Sequence, residues 1–291
     1  MAHAQQEYSS AILETPSRRS TDPVNYSMPV RGESVYLLRD VPGCREYDEL
    51  VSYPDGKGVT VSDSCNSLTE IETALAGAGL VVLGAFHPRP EDAVPAFSEQ
   101  LCTATIVLAG NGGGSMWPFF QSSAHSAEHP LNAWSAEIFQ HLAKQFGAQA
   151  LSPADGPPFH PFQRWALRSG QTHTSPIGIL IHPKYGLWHS YRGALLFAEC
   201  LELPAVDEAP SPCHSCIDRP CLTACPVGAF QTDFYDVERC TGHVSSTKTN
   251  DCRMTGCRAR HACPVGRENA YSPAQAQFHM AAFLARNGGR H

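Results

Sequence analysis

Eight of the twelve cysteines in this 291-residue chain lie between positions 213 and 263, and this concentration constrains the fold more than any other feature. Two runs end in Cys-Pro. The first is Cys213-His-Ser-Cys216-Ile-Asp-Arg-Pro-Cys221-Leu-Thr-Ala-Cys225-Pro226; the second collects Cys240, Cys252, Cys257 and Cys263-Pro264.

Thiolate is the ligand that iron-sulfur clusters require. In the bacterial two-cluster pattern, C-x2-C-x2-C-x3-C-P, the fourth cysteine of a run serves the other cluster. Crossed in this way, one 4Fe-4S cluster takes Cys213, Cys216, Cys221 and Cys263, and a second takes Cys225, Cys240, Cys252 and Cys257. The spacing departs from the pattern: four residues separate Cys216 from Cys221, and the second run is stretched to Cys252-x4-Cys257-x5-Cys263. The ligand count survives these insertions, but they leave the pairing open. So loop-rich a segment has few large apolar side chains to bury, so each cluster would form part of its local core, and the iron-free segment is expected to be disordered. Two other readings stand beside this one. Structural zinc favours paired C-x2-C units, of which only Cys213 and Cys216 make one. A disulfide framework needs an oxidising compartment.

A chain that is 42% hydrophobic and 17% charged has apolar residues for a sizeable core. Its length suits one large domain and a small one. The net charge of −7, from 21 Lys plus Arg against 28 Asp plus Glu, lacks the basic footprint of a nucleic-acid binder, so nucleic acid is not expected as a partner. The opening Met-Ala-His-Ala-Gln-Gln-Glu has no signal-peptide character, and no apolar run approaches the ~20 residues of a membrane helix. A cytoplasmic location without membrane contact is expected. Cys44, Cys65, Cys102 and Cys200 are scattered and read as reduced, partly buried thiols.

Residues 1–32, rich in Ser, Thr, Pro and Gln, read as a flexible arm, and Val35 to Leu38 as the opening of a first strand. Ser67-Leu-Thr-Glu70 is a capping-box pattern, and Leu68, Ile71 and Leu75 follow at helical spacing to Gly77. Leu80–Leu83 and Thr105–Ala109 read as buried strands, the second running into Gly110-Asn-Gly-Gly-Gly114. That run lacks the Walker lysine and the dinucleotide spacing, so it is expected to be a loop beside a flat ligand or another backbone. His129-Pro130 starts an amphipathic helix with Leu131, Trp134, Ile138, Leu142 and Phe146 on one stripe and Gly147 as its stop. A helix is expected over 162–169. Ile177–Ile181 and Leu187–Phe197 then read as a hairpin at the centre of a sheet. Residues 201–212 form a linker, and Ser272-Pro273 starts a last helix.

The stretch Ser175-Pro-Ile-Gly-Ile-Leu-Ile-His182-Pro-Lys-Tyr-Gly186-Leu-Trp188-His-Ser-Tyr191-Arg192-Gly193 resembles the strand-turn-strand of cobalamin-processing chaperones of the cblC type. The cysteine arrangement, with a lone Cys240 between two Cys-Pro runs, is similar to that of epoxyqueuosine reductase and reductive dehalogenases. The resemblance covers roughly residues 75 to 265. It implies an α+β chain: a nitroreductase-like α/β corrinoid-binding domain over 33–205, followed by a small bacterial ferredoxin-like domain with two 4Fe-4S clusters over 206–291. It further implies cobalamin bound base-off near His182, Gly186, Trp188, Tyr191, Arg192 and Gly193, with Asp155 as proton donor and low-potential electrons arriving from an unidentified donor.

Each residue also has a plainer reading. Trp188 and Tyr191, proposed with Phe119 as apolar walls, read equally as core-facing strand residues. Gly178 and Gly193 read as strand kinks, and His182 as a turn residue. Arg192 in an apolar strand calls for an anionic partner, either a phosphate or a carboxylate such as Asp40. Arg253, Arg258, Arg260 and Arg267 form a basic, solvated face by default. The function expected is therefore an iron-sulfur oxidoreductase that reduces a corrinoid or removes its upper ligand. The alternatives are a two-cluster electron carrier without corrinoid and a tRNA-modifying reductase like epoxyqueuosine reductase.

Overall fold

The computed structural model describes residues 39–41, 44–46, 66–123, 126–205, 210–231, 234–246 and 251–288. The arm expected over 1–32 and the strand expected at Val35 to Leu38 lie outside these residues. Met1–Asp63 and Ser64–His291 form two compact units. In the first, β1 (Arg39–Val41) and β2 (Cys44–Glu46) pair antiparallel.

The second unit is built on a four-stranded sheet in the order β3-β4-β8-β5, every neighbouring pair antiparallel. These strands are β3 (Val81–Phe86), β4 (Thr105–Gly112), β5 (Gln149–Leu151) and β8 (His189–Phe197). All eight residues of β4 are buried, which fits a strand covered on both faces. Alternation sorts its side chains. Val107 and Ala109, with Leu195 and Phe197 of β8, pack under α1 (Leu68–Ala76), α2 (Trp117–Ser122) and α3 (Pro130–Phe146). Ile106 and Leu108, with Ala194 and Leu196, pack under α4 (Phe162–Arg168). This is a mixed α/β architecture with helices on both faces of an antiparallel sheet.

Local chemistry explains the helices. Ser67 caps α1: its Oγ accepts from the Glu70 N–H at 3.2 Å, while Glu70 Oε2 accepts from the Ser67 N–H at 3.1 Å. Pro130 opens α3, and Gly147 closes it at φ 63°, a conformation that glycine adopts without Cβ strain. Leu131, Trp134, Phe139, Leu142 and Ala143 are its buried apolar residues, with Ile138 and Phe146 at the edge.

The expected hairpin is not formed as a pair of sheet strands. Only Leu180–Ile181 (β7) is extended, and it pairs with β6 (His173–Thr174) in a separate two-stranded ladder. β8 pairs instead with β4 along its length and with β5 over Ala194–Leu196. Cys200 is disulfide-bonded, which corrects its reading as a reduced thiol; Cys102 is a free thiol as expected, but exposed rather than partly buried. Among the described residues, no helix is long and apolar enough to cross a membrane.

The cysteine segment holds α5 (Pro220–Thr223), a ladder of β9 (Phe230–Gln231) and β10 (Phe234–Tyr235), and helices α6 (Val237–Ser246), α7 (Asp251–Thr255) and α8 (Arg258–Ala262). Helix α9 (Pro273–Asn287) packs back across α6 and α7.

Gly193 fixes how closely α3 approaches the sheet, because a Cβ there would lie 2.6 Å from the Phe139 ring. Gly193→Ala is expected to cost about 1–3 kcal/mol through overpacking. Thermal denaturation should show a melting temperature several degrees lower, and an unchanged one would mean that α3 is not held at this distance.

Candidate functional site

Two cavities lie in the cysteine segment. The first is lined by Cys213, Cys216, Cys221 and Cys263 together with Pro176, Ile181, Leu187, Arg219, Pro264 and Val265. The second is lined by Cys225, Cys240, Cys252 and Cys257 with Pro226, Val227, Phe230, His243, Arg258 and Met280. These are the two quartets into which crossed pairing sorts the eight cysteines.

Short elements bring each quartet together. Pro220 starts α5 and carries Cys221 into the first cavity. Cys257 and Cys263 flank the five-residue α8 as its two caps, so that helix sends one thiol to each cavity. Burial pushes the thiols of Cys213, Cys221, Cys252, Cys257 and Cys263 up, and that of Cys240 to about 11. Neighbouring thiols add to the rise, and in every case they belong to the same quartet: Cys263, Cys213 and Cys216 act on Cys221, while Cys257, Cys225 and Cys252 act on Cys240.

The sulfurs face hydrogen-bond donors. The Ala229 N–H donates to Cys225 Sγ at 3.3 Å. Cys252 meets the Arg258 N–H, Cys257 those of Arg260 and Ala259, Cys263 that of Val265, and Cys240 the Tyr235 hydroxyl. Such donors stabilise thiolate and tune the potential of whatever the thiolates bind. Among the described residues, no three Cys, His, Asp or Glu side chains converge closely enough to hold one metal ion. Four thiols spread around a cavity suit a polynuclear cluster better than a zinc ion, whose sulfurs sit about 2.3 Å from a single point.

The residues expected to hold a corrinoid lie elsewhere. Gly186 abuts the Cys-Pro turn: a Cβ on it would collide with the Val265 carbonyl, and one on Gly266 would lie 2.5 Å from the Gly186 nitrogen. Trp188 is 1% exposed, with Tyr271 at 5.3 Å and His261 at 4.7 Å between ring centroids. Arg192 is buried and donates to Ser190 Oγ at 2.5 Å. Gly193 faces Phe139. His182 and Tyr191 are half-buried; His182 Nδ1 accepts from the Lys184 N–H at 3.0 Å, and the Tyr191 hydroxyl reaches Thr172 Oγ1 at 3.5 Å. Four of the six thus pack against protein. Phe119 is 42% exposed on α2, and the side chain of Asp40 lies outside those described. Asp155 is exposed in a turn, where Oδ2 accepts from the Ser152 N–H at 2.7 Å.

The turn 182–188 is instead the joint between the sheet and the cysteine segment. Arg260 donates to the Leu187 carbonyl at 2.6 Å, Asn269 Nδ2 to the Lys184 carbonyl at 3.0 Å, and the Gly113 N–H to the Trp188 carbonyl at 2.6 Å. The glycine-rich run approaches protein here: a Cβ on Gly113 would lie 2.9 Å from the Asn269 carbonyl. Of the four arginines read as a basic face, Arg258 pairs with Asp251 at 3.6 Å, Arg267 donates to the Cys263 carbonyl at 3.1 Å, and Arg260 lies over the rings of both Trp188 and Tyr271. Sequence reasoning missed Asn111, Tyr271 and His279 around that arginine, and Gln275 one turn before His279. The available signal was the pair of polar residues four apart, Gln275 and His279, in the last helix.

Burial lowers the pKa of His182 and of His189 to about 4; Lys184 adds to the effect on the first and His182 to that on the second. Both are neutral in the fold near pH 7, and His189 Nδ1 donates to the Gly186 carbonyl at 3.1 Å. The unfolded chain takes up protons from about pH 6.5 downward, whereas these folded imidazoles resist until about pH 4. Stability is therefore complete above about 6.5 and falls across this window. His189→Gln should make the slope of stability against pH shallower by up to one proton, read from denaturant midpoints between pH 7 and 4; an unchanged slope would contradict the burial of His189.

No family model matches the sequence, and no curated protein matches it. Among solved structures the chain is similar to epoxyqueuosine reductase from Streptococcus thermophilus, at 17% identity over 68% of this chain and 66% of that one, with a TM-score of 0.40. It is also similar to an epoxyqueuosine reductase with an epoxyqueuosine-modified tRNA-Tyr stem loop, at 16% identity over 72% and 68% of the two chains and a TM-score of 0.40. A third is the Bacillus subtilis epoxyqueuosine reductase, at 17% identity, covering 58% of this chain and 50% of that one, with a TM-score of 0.37. This chain spans about half the length of that last protein. At these TM-scores the likeness assigns neither family nor activity.

Proposed function

We propose that this chain is an iron-sulfur oxidoreductase carrying two 4Fe-4S clusters, one on Cys213, Cys216, Cys221 and Cys263 and the other on Cys225, Cys240, Cys252 and Cys257. The observation that supports the reading is the pair of cavities, each lined by one quartet of thiols. Clusters bound there would supply one-electron transfer at low potential. The protein's share is the donor set. Pro226, Val227 and Met280 in one cavity, and Ile181, Leu187 and Val265 in the other, surround the sulfurs with apolar groups, while the backbone N–H groups described above point at them. Two environments with different donor counts give two different potentials, because hydrogen bonds to sulfur raise a potential and burial lowers it.

The substrate is the finer part of the proposal. The sequence resemblance offers a corrinoid, or a tRNA nucleoside of the epoxyqueuosine kind. The expectation against nucleic acid rests on net charge alone, which leaves a local tRNA contact open to direct test. No step is assigned to a corrinoid, because the turn residues expected to hold one are engaged with protein. An electron carrier that docks another protein is the reading left if neither ligand binds.

Anaerobically purified protein should contain about eight irons and eight acid-labile sulfides per chain and give the EPR signals of reduced 4Fe-4S centres. Cys221→Ser and Cys257→Ser should each remove roughly half of the iron, from different signals. Zinc without sulfide, or full iron in both variants, would overturn the ligand assignment. Titrations with hydroxocobalamin and with tRNA then separate the substrates: a base-off spectral shift supports the corrinoid, and saturable tRNA binding at ordinary salt supports the nucleoside.

A further inference from the structure

Seven buried side-chain atoms among the described residues have no hydrogen-bond partner: Asn111 Oδ1, Trp188 Nε1, Arg192 Nε, Arg260 Nε, Gln275 Nε2, Gln275 Oε1 and His279 Nε2. They come from β4, the turn before β8, β8 itself, α8 and α9, and those of Asn111, Trp188, Arg192, Arg260 and His279 gather around one residue, Tyr271. Asn111 Nδ2 donates to the Tyr271 hydroxyl at 3.0 Å; Trp188 and His279 lie 5.3 and 5.2 Å from its ring centroid, and the Arg260 guanidinium lies 4.9 Å from it. Arg192 interacts electrostatically with Tyr271, and His279 with both arginines. Gln275 sits one turn before His279 on α9.

Natural proteins leave few such atoms unpaired, and each one costs free energy. Five at one place mark a site rather than a scatter of faults. Its composition is specific. Arg192 and Arg260 bring two positive charges, and no carboxylate of the described residues pairs with either. N–H donors outnumber the one carbonyl acceptor, Asn111 Oδ1. Asn111 is fully buried, and Trp188 and Arg192 are 1% and 7% exposed. Water could satisfy single atoms, but it leaves the buried Arg192 and the half-buried Arg260 guanidinium charges uncompensated.

We propose that this nest binds one small oxyanion of the phosphate class, held by Arg192, Arg260 and the Trp188 N–H, with the Asn111 amide carbonyl accepting from its O–H. The carbonyl acceptor selects protonated phosphate over sulfate, which carries no O–H at neutral pH. The site is distinct from the cysteine cavities, so cluster content and anion content can fail independently. Arg260 connects it to them, donating to the Leu187 carbonyl at the wall of the first cavity and lying three residues from Cys257 and Cys263.

The test starts with holoprotein desalted exhaustively into phosphate-free buffer. Ion chromatography of the denatured protein should release about one phosphate per chain, or the desalted protein should bind inorganic phosphate at one saturable site by calorimetry, with sulfate binding more weakly. Trp188→Phe keeps an aromatic ring and removes the N–H together with the rest of the five-membered ring; it should weaken phosphate binding about tenfold or more, as expected for one hydrogen bond to a charged group. Arg192→Gln should abolish it. If Arg192→Gln fails to fold, Trp188→Phe still decides. Neither released nor bound phosphate, binding of nucleotides but not of the free anion, or wild-type affinity in Trp188→Phe would each overturn the proposal.

Discussion

Two cysteine runs exchange their last members, and the rest of the C-terminal structure follows from that exchange. Cys263 joins Cys213, Cys216 and Cys221, while Cys225 joins Cys240, Cys252 and Cys257. The segment is therefore closed on itself twice, with α8 spanning the two sites through its end residues. This segment buries only a modest apolar group, chiefly Ile177, Ile181, Leu187, Cys221, Ala259 and Cys263, three of which come from the sheet side. Such a region lacks the apolar area to fold alone; it leans on the neighbouring domain, and clusters bound as proposed would supply the rest of its core.

That lean passes through one turn. Residues 182–188 follow β7, touch the second Cys-Pro run at Gly186 and lead into β8, the strand paired on both edges. Arg260 seals the contact by lying over Trp188 at 4.4 Å and over Tyr271 at 4.9 Å. Cation–π contact and a charge-assisted hydrogen bond thus act at the same residue. The first cavity shares Ile181 and Leu187 with this joint, so a shift of the turn would be felt at its sulfurs. A joint so placed offers a short route between the cysteine cavities and whatever the sheet domain presents to them.

How much of this was legible in the sequence depended on range. α1 and α3 were readable from their caps and periodicity because those signals are local: Ser67 and Glu70 bond one another, and Gly147 ends its own helix. The cysteine grouping was readable because thiol spacing carries chemistry with few alternatives. The pairing of Ile177–Ile181 was not, since Leu180–Ile181 pairs with β6, a two-residue strand that composition does not announce. Nor could residue types reveal that Trp188 turns toward Tyr271, that Gly193 admits Phe139, or that Arg260 leaves a basic face for a buried nest. Each depends on a partner distant in sequence, and an aromatic, a glycine or an arginine serves a ligand and a packed neighbour equally well.

The most direct measurement is a crystal structure of the anaerobically purified protein with anomalous differences collected across the iron edge. The account predicts two compact iron peaks, one within the Cys213, Cys216, Cys221 and Cys263 quartet and one within the Cys225, Cys240, Cys252 and Cys257 quartet. A single metal ion in either cavity, or iron bound by the contiguous run of Cys213, Cys216, Cys221 and Cys225, would contradict it.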